Sequence, residues 1–339
     1  MNTEHNYPKT LLESVRYFSD LDVAHAFFTK MRWPDGVVRC PACDSIDVKF
    51  LAKYRRWECK NKHPRRQFTV KVGTIMEDSP LGLDKWAVAF WLEANAKNSI
   101  SSYEIHRALG ITQKSAWFMQ HRIRLAMQSE GSVKIGGAGG AGVEVDETFI
   151  GGLARNMHKS RRDKVITGTG GSGKTVVMGL LERHGGKKCS QVRATVIPDT
   201  RKETLHPIIR HNVEPGAEVF TDEHAGYTGI SSEYVHGVIN HAEAYVNGNI
   251  HTNGMENFWA LFKRCIKGTH ISVEPFHLFR YLDSECFRFN NREVEDGDRF
   301  RLALRGMTGK RLTYKGLTGD LELHPTSNDS GVANANLPN

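Results

Sequence analysis

Between Gly131 and Gly142 the chain reads GSVKIGGAGGAG, and half of these residues are glycine. A run with so little to bury and so much backbone freedom cannot form the interior of a helix or strand. It reads as a linker that divides two regimes of hydrophobic periodicity. After it come β-rich runs, VEVDETFI (143–150), VVMGLLER (176–183) and QVRATVIP (191–198), then a helical pattern over Lys202 to His211 and the strand AEVFTD ending at Asp222. Helical stretches follow at Met255 to Lys267 and Pro275 to Asn290. Strands, a helix, a strand and then helices suit a mixed α/β sheet with helices packed on it. The expected organisation is a helical lead-in (1–30), a Cys-rich unit (31–75), a helical unit (80–130), the linker (131–142), the α/β domain (143–295), an extension (296–324) and a polar, disordered tail (325–339).

Cys40-Pro-Ala-Cys43 is followed by Cys59 and His63. Cys-x2-Cys sets two thiolates on one knuckle, and a Cys3His set gives zinc a closed tetrahedral N/S shell. A redox role for Cys40 and Cys43 would need a thioredoxin-like βαβ context, which the flanks lack. One structural zinc is therefore expected, supplying much of the folding energy of a segment with little core of its own. The remaining cysteines, Cys189, Cys265 and Cys286, are scattered and read as small buried hydrophobes.

From Ser99 to Met127 the sequence pairs two helical patterns around Gly110. Ser101 or Ser102 can cap the first and Thr112 the second. Two helices on a short Gly turn fit both a DNA-reading helix-turn-helix and an ordinary helical hairpin. In the DNA reading, Lys114, Gln120, Arg122 and Arg124 on the second helix face the duplex.

Three acids stand out. Asp146 lies in the strand VEVDETFI, where alternation puts Glu144, Asp146 and Thr148 on one face. Asp222 closes AEVFTD, and Glu256 opens the helix in NGMENFWALFKR. Carboxylates brought together repel unless cations lie between them, and hard oxygen ligands suit Mg²⁺ or Mn²⁺. Two such ions support in-line phosphoryl displacement. Lys263 sits seven residues after Glu256, on the same helical face, within reach of a nearby phosphate.

Gly168 to Thr175, GTGGSGKT, fits a phosphate-binding loop pattern. Such a loop needs a helix after it, and VVMGLLER reads as a strand, so no NTP is expected. The surrounding Arg161, Arg162, Lys164 and Lys174, with Arg264 and Lys267 farther on, are candidate phosphate contacts. A net charge of +8 and a pI near 9.1 favour a polyanionic partner. No apolar run approaches the ~18 to 20 residues of a membrane span, and Met1 to Thr10 carries no apolar signal, so a cytoplasmic location on DNA is expected.

These segments together, CPAC, RWECKNKHPRRQFTVKVGTIMEDSPLGLDKW, SSYEIHRALGITQKSAWFMQHRIR, VEVDETFIGG, TDEHAGY, NGMENFWALFKR and FRFNNR, resemble the zinc-ribbon insertion-sequence transposases over roughly residues 15 to 315. That resemblance implies an RNase H-like catalytic domain, with Asp146, Asp222 and Glu256 as the metal-binding triad and Lys263 as an added lysine. It also implies double-stranded DNA as substrate, element ends recognised at terminal inverted repeats, strand cleavage followed by strand transfer, and a homodimer or higher oligomer. Many such ribbons close with Cys where this chain has His63. A catalytically inactive zinc-ribbon regulator and a general RNase H-like nuclease are the alternatives.

Overall fold

In the computed structural model, residues 7–129, 133–137, 141–152, 159–160, 173–184, 189–239 and 251–319 are described. Thr10 and Asp20 each accept first-turn backbone N–H groups, starting α1 (Leu11–Phe18) and α2 (Leu21–Arg32). A small antiparallel sheet follows, β1 (Val48–Leu51), β2 (Arg56–Cys59) and β3 (Gln67–Phe68), with Phe50 opposite Trp57 and Trp57 opposite Phe68. Its aromatic face lies on α2, where His25 stacks on Trp57 at 4.9 Å between ring centroids. Three helices come next, α3 (Leu83–Asn95), α4 (Ser102–Leu109) and α5 (Gln113–Met127). Ser101 and Glu104 form a reciprocal capping box at the start of α4. Gly110 ends that helix in the left-handed region at φ 59°, which is the turn a Gly there permits.

The second sheet contains β4 (Val143–Ile150), β5 (Thr175–Glu182), β6 (Gln191–Ile197), β7 (Glu218–Asp222) and β8 (Val235–Ile239), in the order β6-β5-β4-β7-β8. β4, β5 and β6 run antiparallel in sequence, whereas β7 and β8 lie parallel to β4. One face carries α6 (Lys202–Asn212) over Val143, Val145 and Val219. The other carries α7 (Asn253–Cys265) and α8 (Leu278–Asn290) over Val177, Leu181 and Val192. This is a mixed sheet with helices on both faces.

The chain then returns to its beginning. Phe300 of α9 (Asp296–Arg305) packs among Phe18, Phe27 and Trp91, and Met307 accepts the N–H of Ile75. The segment expected as an extension thus belongs to the first hydrophobic core. A short α10 (Tyr314–Thr318) follows.

Gln120, Arg122 and Arg124, expected to face DNA, are buried at 1%, 6% and 1% exposure. Gln120 donates to Glu93 and to the Ile100 carbonyl, Arg122 to the Glu77 and Leu312 carbonyls, and Arg124 to Glu93 at 2.8 Å. The C-terminal half of α5 is surrounded by α3, α8 and α9, so these three side chains bond within the protein, while both His121 ring nitrogens and the two Arg124 Nη atoms are buried without a hydrogen-bond partner. Lys114, at the other end, is exposed and lies over the Tyr314 ring. β5 begins at Thr175, so a strand and not a helix follows the glycine-rich loop, as its sequence pattern suggests.

Candidate metal centres

The thiol cluster is built on the first sheet. Cys40 and Cys43 sit on a tight turn, with Asp44 N–H bonded to the Cys40 carbonyl, and Cys59 ends β2. The four donor atoms of Cys40, Cys43, Cys59 and His63 all lie within 4.8 Å of one another. Cys40 Sγ stands 3.4 Å from His63 Nε2, and the Cys43 and Cys59 sulfurs stand 3.6 Å apart. A tetrahedron with zinc–ligand lengths of about 2.0 to 2.3 Å has edges near 3.5 Å, so the set fits that ion. His63 Nδ1 lies 2.8 Å from the Pro64 carbonyl. Donation from Nδ1 leaves Nε2 free as the ligand atom. The Ser45 backbone N–H lowers the Cys43 thiol to about 7, which favours the ligating thiolate.

The acids gather on the second sheet. β4 and β7 pair in parallel with Val143 beside Val219 and Glu144 beside Phe220, so Asp146 and Asp222 each stand two residues beyond the last pair of that ladder. Asp146 faces α7, where Trp259 Nε1 donates to its Oδ2 at 3.0 Å; its Oδ1 accepts the Glu147 N–H at 2.8 Å. Burial, then the charges of Asp222 and Glu256, push the Asp146 carboxyl up to about 6. The three acids therefore share one electrostatic neighbourhood. Among the described residues the thiol cluster alone draws three or more donor atoms within 4.8 Å of one another, so the carboxylates stand farther apart than the thiols do. Lys263 is half-buried on α7; burial lowers its pKa, and the charge of Asp146 acts against that. Lys174 acts electrostatically on the same lysine, which places it near the site.

Two features beside the acids escape a reading of sequence. Glu147 points to the opposite face and accepts a hydrogen bond from the buried Tyr227 hydroxyl. Burial and the charges of Asp146 and Asp222 raise its carboxyl to about 8. Glu144 is buried beneath the start of α7, paired with Arg183 at 2.7 Å. The one signal for either was strand alternation, which fixed the face but not the partner. Of the proposed phosphate contacts, Arg264 and Lys267 are exposed, while Arg161, Arg162 and Lys164 lie outside the described residues.

A Cys3His ribbon ahead of a mixed α/β domain defines a class: proteins with an N-terminal zinc-ribbon-like cluster followed by a mixed sheet with helices on both faces. Comparison with known proteins makes it particular. The ISXO2-like transposase domain matches residues 137–290 and the transposase zinc-ribbon domain matches residues 20–61. An uncharacterised transposase-like protein of Haemophilus influenzae is 38% identical over 111 residues, covering 32% of this chain and 87% of its own length. An uncharacterised protein in the transposable element ISH50 of Halobacterium salinarum is 24% identical over 282 residues, covering 78% of this chain and 91% of its own. The chain belongs to the zinc-ribbon insertion-sequence transposase family. Among the described residues no helix is long and apolar enough to cross a membrane.

Proposed function

We propose that this transposase cuts and joins DNA at an RNase H-like centre formed by Asp146, Asp222 and Glu256. The observation that carries the reading is Asp146, bonded to Trp259 Nε1 on the helix that bears Glu256 and standing on the strand that pairs with the one ending in Asp222; burial and the neighbouring acids raise its carboxyl to about 6. The strand order β6-β5-β4-β7-β8, three antiparallel and two parallel, supports the RNase H-like assignment for residues 143–295. The all-oxygen donor set fits Mg²⁺ or Mn²⁺, and two such ions, when bound, activate the attacking oxygen and stabilise the leaving one. The chain's own groups do the rest. Trp259 orients Asp146 through its indole N–H. Lys263, with Lys174, Arg264 and Lys267 around it, holds phosphates beside the acids. Lys114 and the exposed face of α4 offer a second contact, consistent with recognition of terminal inverted repeats by the helix pair. Synapsis of two ends calls for a homodimer or larger assembly.

The test is Mg²⁺-dependent cleavage and strand transfer on DNA bearing the element ends, by the purified full chain. Asp146→Asn should reduce both steps to background while leaving metal-free DNA binding intact. A wild-type chain that binds ends without cutting would make it a regulator. Cutting that ignores scrambling of the terminal repeat would make it a general nuclease.

A further inference from the structure

The buried acid two residues before Asp146 has no place in the chemistry above. Glu144 is 1% exposed, and a carboxylate there is tolerated only if fully compensated. Its compensation comes from two directions. Arg183 Nε lies at 2.7 Å, and the backbone N–H of Met255, in the first turn of α7, donates at 2.8 Å. A carboxylate on a helix N-terminal N–H is favourable in itself. Arg183 is fixed in turn: its guanidinium lies over the Phe220 ring at 4.3 Å, and its Nη2 meets His251 at both the ring nitrogen and the carbonyl. One ion pair thus ties together the end of β5, the strand β7 that carries Asp222, and the approach to α7.

The spacing of the ties is informative. Glu144 and Asp146 are two residues apart on one face of β4, about 6.6 Å along a strand. Their partners on α7, Met255 and Trp259, are four residues apart, about 6 Å along a helix. Helix and strand are therefore fastened at two rungs of matching pitch, and Glu256 lies between the helix rungs. Close approach is built in. A Cβ on Gly254 would stand 2.8 Å from a Glu144 carboxylate oxygen, and one on Gly179 of β5 would stand 2.7 Å from the Trp259 ring. With one rung gone, the helix is free to turn or slide, and Glu256 moves with it.

We infer that Glu144 and Arg183 are positioning residues that seat the first turn of α7 and so fix where Glu256 stands relative to Asp146. The inference rests on the catalytic reading proposed above. It predicts that the ion pair governs metal affinity without touching the metal, as supporting groups around metal ligands do.

Tb³⁺ is the probe, because Trp259 beside Asp146 can sensitise its luminescence; Trp259→Phe gives the baseline from the other tryptophans. The full chain with its zinc in place is titrated with Tb³⁺, and metal-free DNA affinity is measured in parallel. Glu144→Gln keeps an acceptor for the Met255 N–H but removes the charge. Gly254→Ala keeps both charges and displaces the carboxylate, and Arg183→Lys keeps a cation without its fork. Each should weaken Tb³⁺ binding roughly tenfold or more, with DNA affinity unchanged, and should raise the Mn²⁺ requirement for cleavage in step. Variants that lose only thermal stability while binding Tb³⁺ like wild type would overturn the inference. If Glu144→Gln does not fold, the other two variants decide. A wild-type chain with no sensitised Tb³⁺ and no metal-dependent cleavage would instead overturn the catalytic reading, and this inference with it.

Discussion

The two ligand clusters differ in how far apart their members lie in the chain. Cys40 and His63 are 23 residues apart, whereas Asp146 and Glu256 are 110 apart. The thiols share one small hairpin, so their spacing already states their geometry. The acids come from two strands and a helix, β4, β7 and α7, with Trp259 of α7 bonded to Asp146 of β4. The thiols are drawn up at tetrahedral distances, and the acids are held near one another but not closed. A soft, local set suits structural zinc; under the proposed function, the hard oxygen set would take Mg²⁺ or Mn²⁺.

That contrast breaks first if zinc proves dispensable. Stripping it with a strong chelator, or Cys59→Ser, should unfold the region around β1 to β3, because structural zinc supplies on the order of 10 kcal/mol in such segments. The buried Trp57 reports it through fluorescence, and native mass spectrometry should count one zinc before stripping. The β4 to β8 sheet should persist. Unchanged Trp57 emission in the metal-free protein would mean that aromatic packing on α2 alone holds the ribbon.

Legibility followed the same divide. The ribbon's ligands, the strands β4 to β7 and the face of β4 that carries Asp146 could be read from spacing and alternation, because these are local properties; the edge strand β8 was not read. The run QHRIR on α5 could not. Its polar letters suggest solvent, yet their partners come from α3 and from the distant Leu312 carbonyl, which no periodicity reveals. Glu93 is equally opaque: an acid in an apolar helix, explained only by Arg124 and Gln120. Arg124→Ala should therefore cost roughly 3 to 5 kcal/mol of stability, because it strands a buried carboxylate. Lys114→Ala, on the same helix, should cost almost none. Denaturant titration compares them, and replacing Glu93 and Arg124 together by Leu and Met should recover most of the stability. An Arg124→Ala protein of native stability with weakened DNA binding would restore the DNA-reading role to this half of α5.

The acid cluster should reveal itself through pH. The Glu147 carboxyl is raised from 4.5 to about 8 and that of Asp146 from 3.8 to about 6. For a raised folded value, the stabilisation is complete below the unfolded value and is lost as pH rises through the folded one. The buried His121, lowered to about 2, and His270, lowered to about 3, work in the opposite sense, destabilising the fold as pH falls through 6.5. Comparing wild type with Glu147→Gln cancels those histidines. Without divalent ions, the unfolding free energy of Glu147→Gln minus that of wild type, from denaturant titration, should rise steadily from pH 5 to pH 8.5, by an amount on the order of 4 kcal/mol. Mn²⁺ should stabilise wild type more at pH 8 than at pH 5.5. A difference that stays flat across that range would mean Glu147 ionises as it does in the unfolded chain.

The smallest effect sharpens the comparison of cations. Arg124 and Lys267 contribute the same formal charge, but one is spent on Glu93 and the other is exposed just beyond α7. Removing a surface lysine that pairs with a phosphate weakens binding across all sequences and lowers the salt dependence by about one counterion. Lys267→Ala should do so in fluorescence-anisotropy titrations over a range of salt, without altering stability or preference for the terminal repeat. If affinity and salt slope both match wild type, the DNA path does not leave the acids along the end of α7, and Lys174, just before β5, becomes the residue to test.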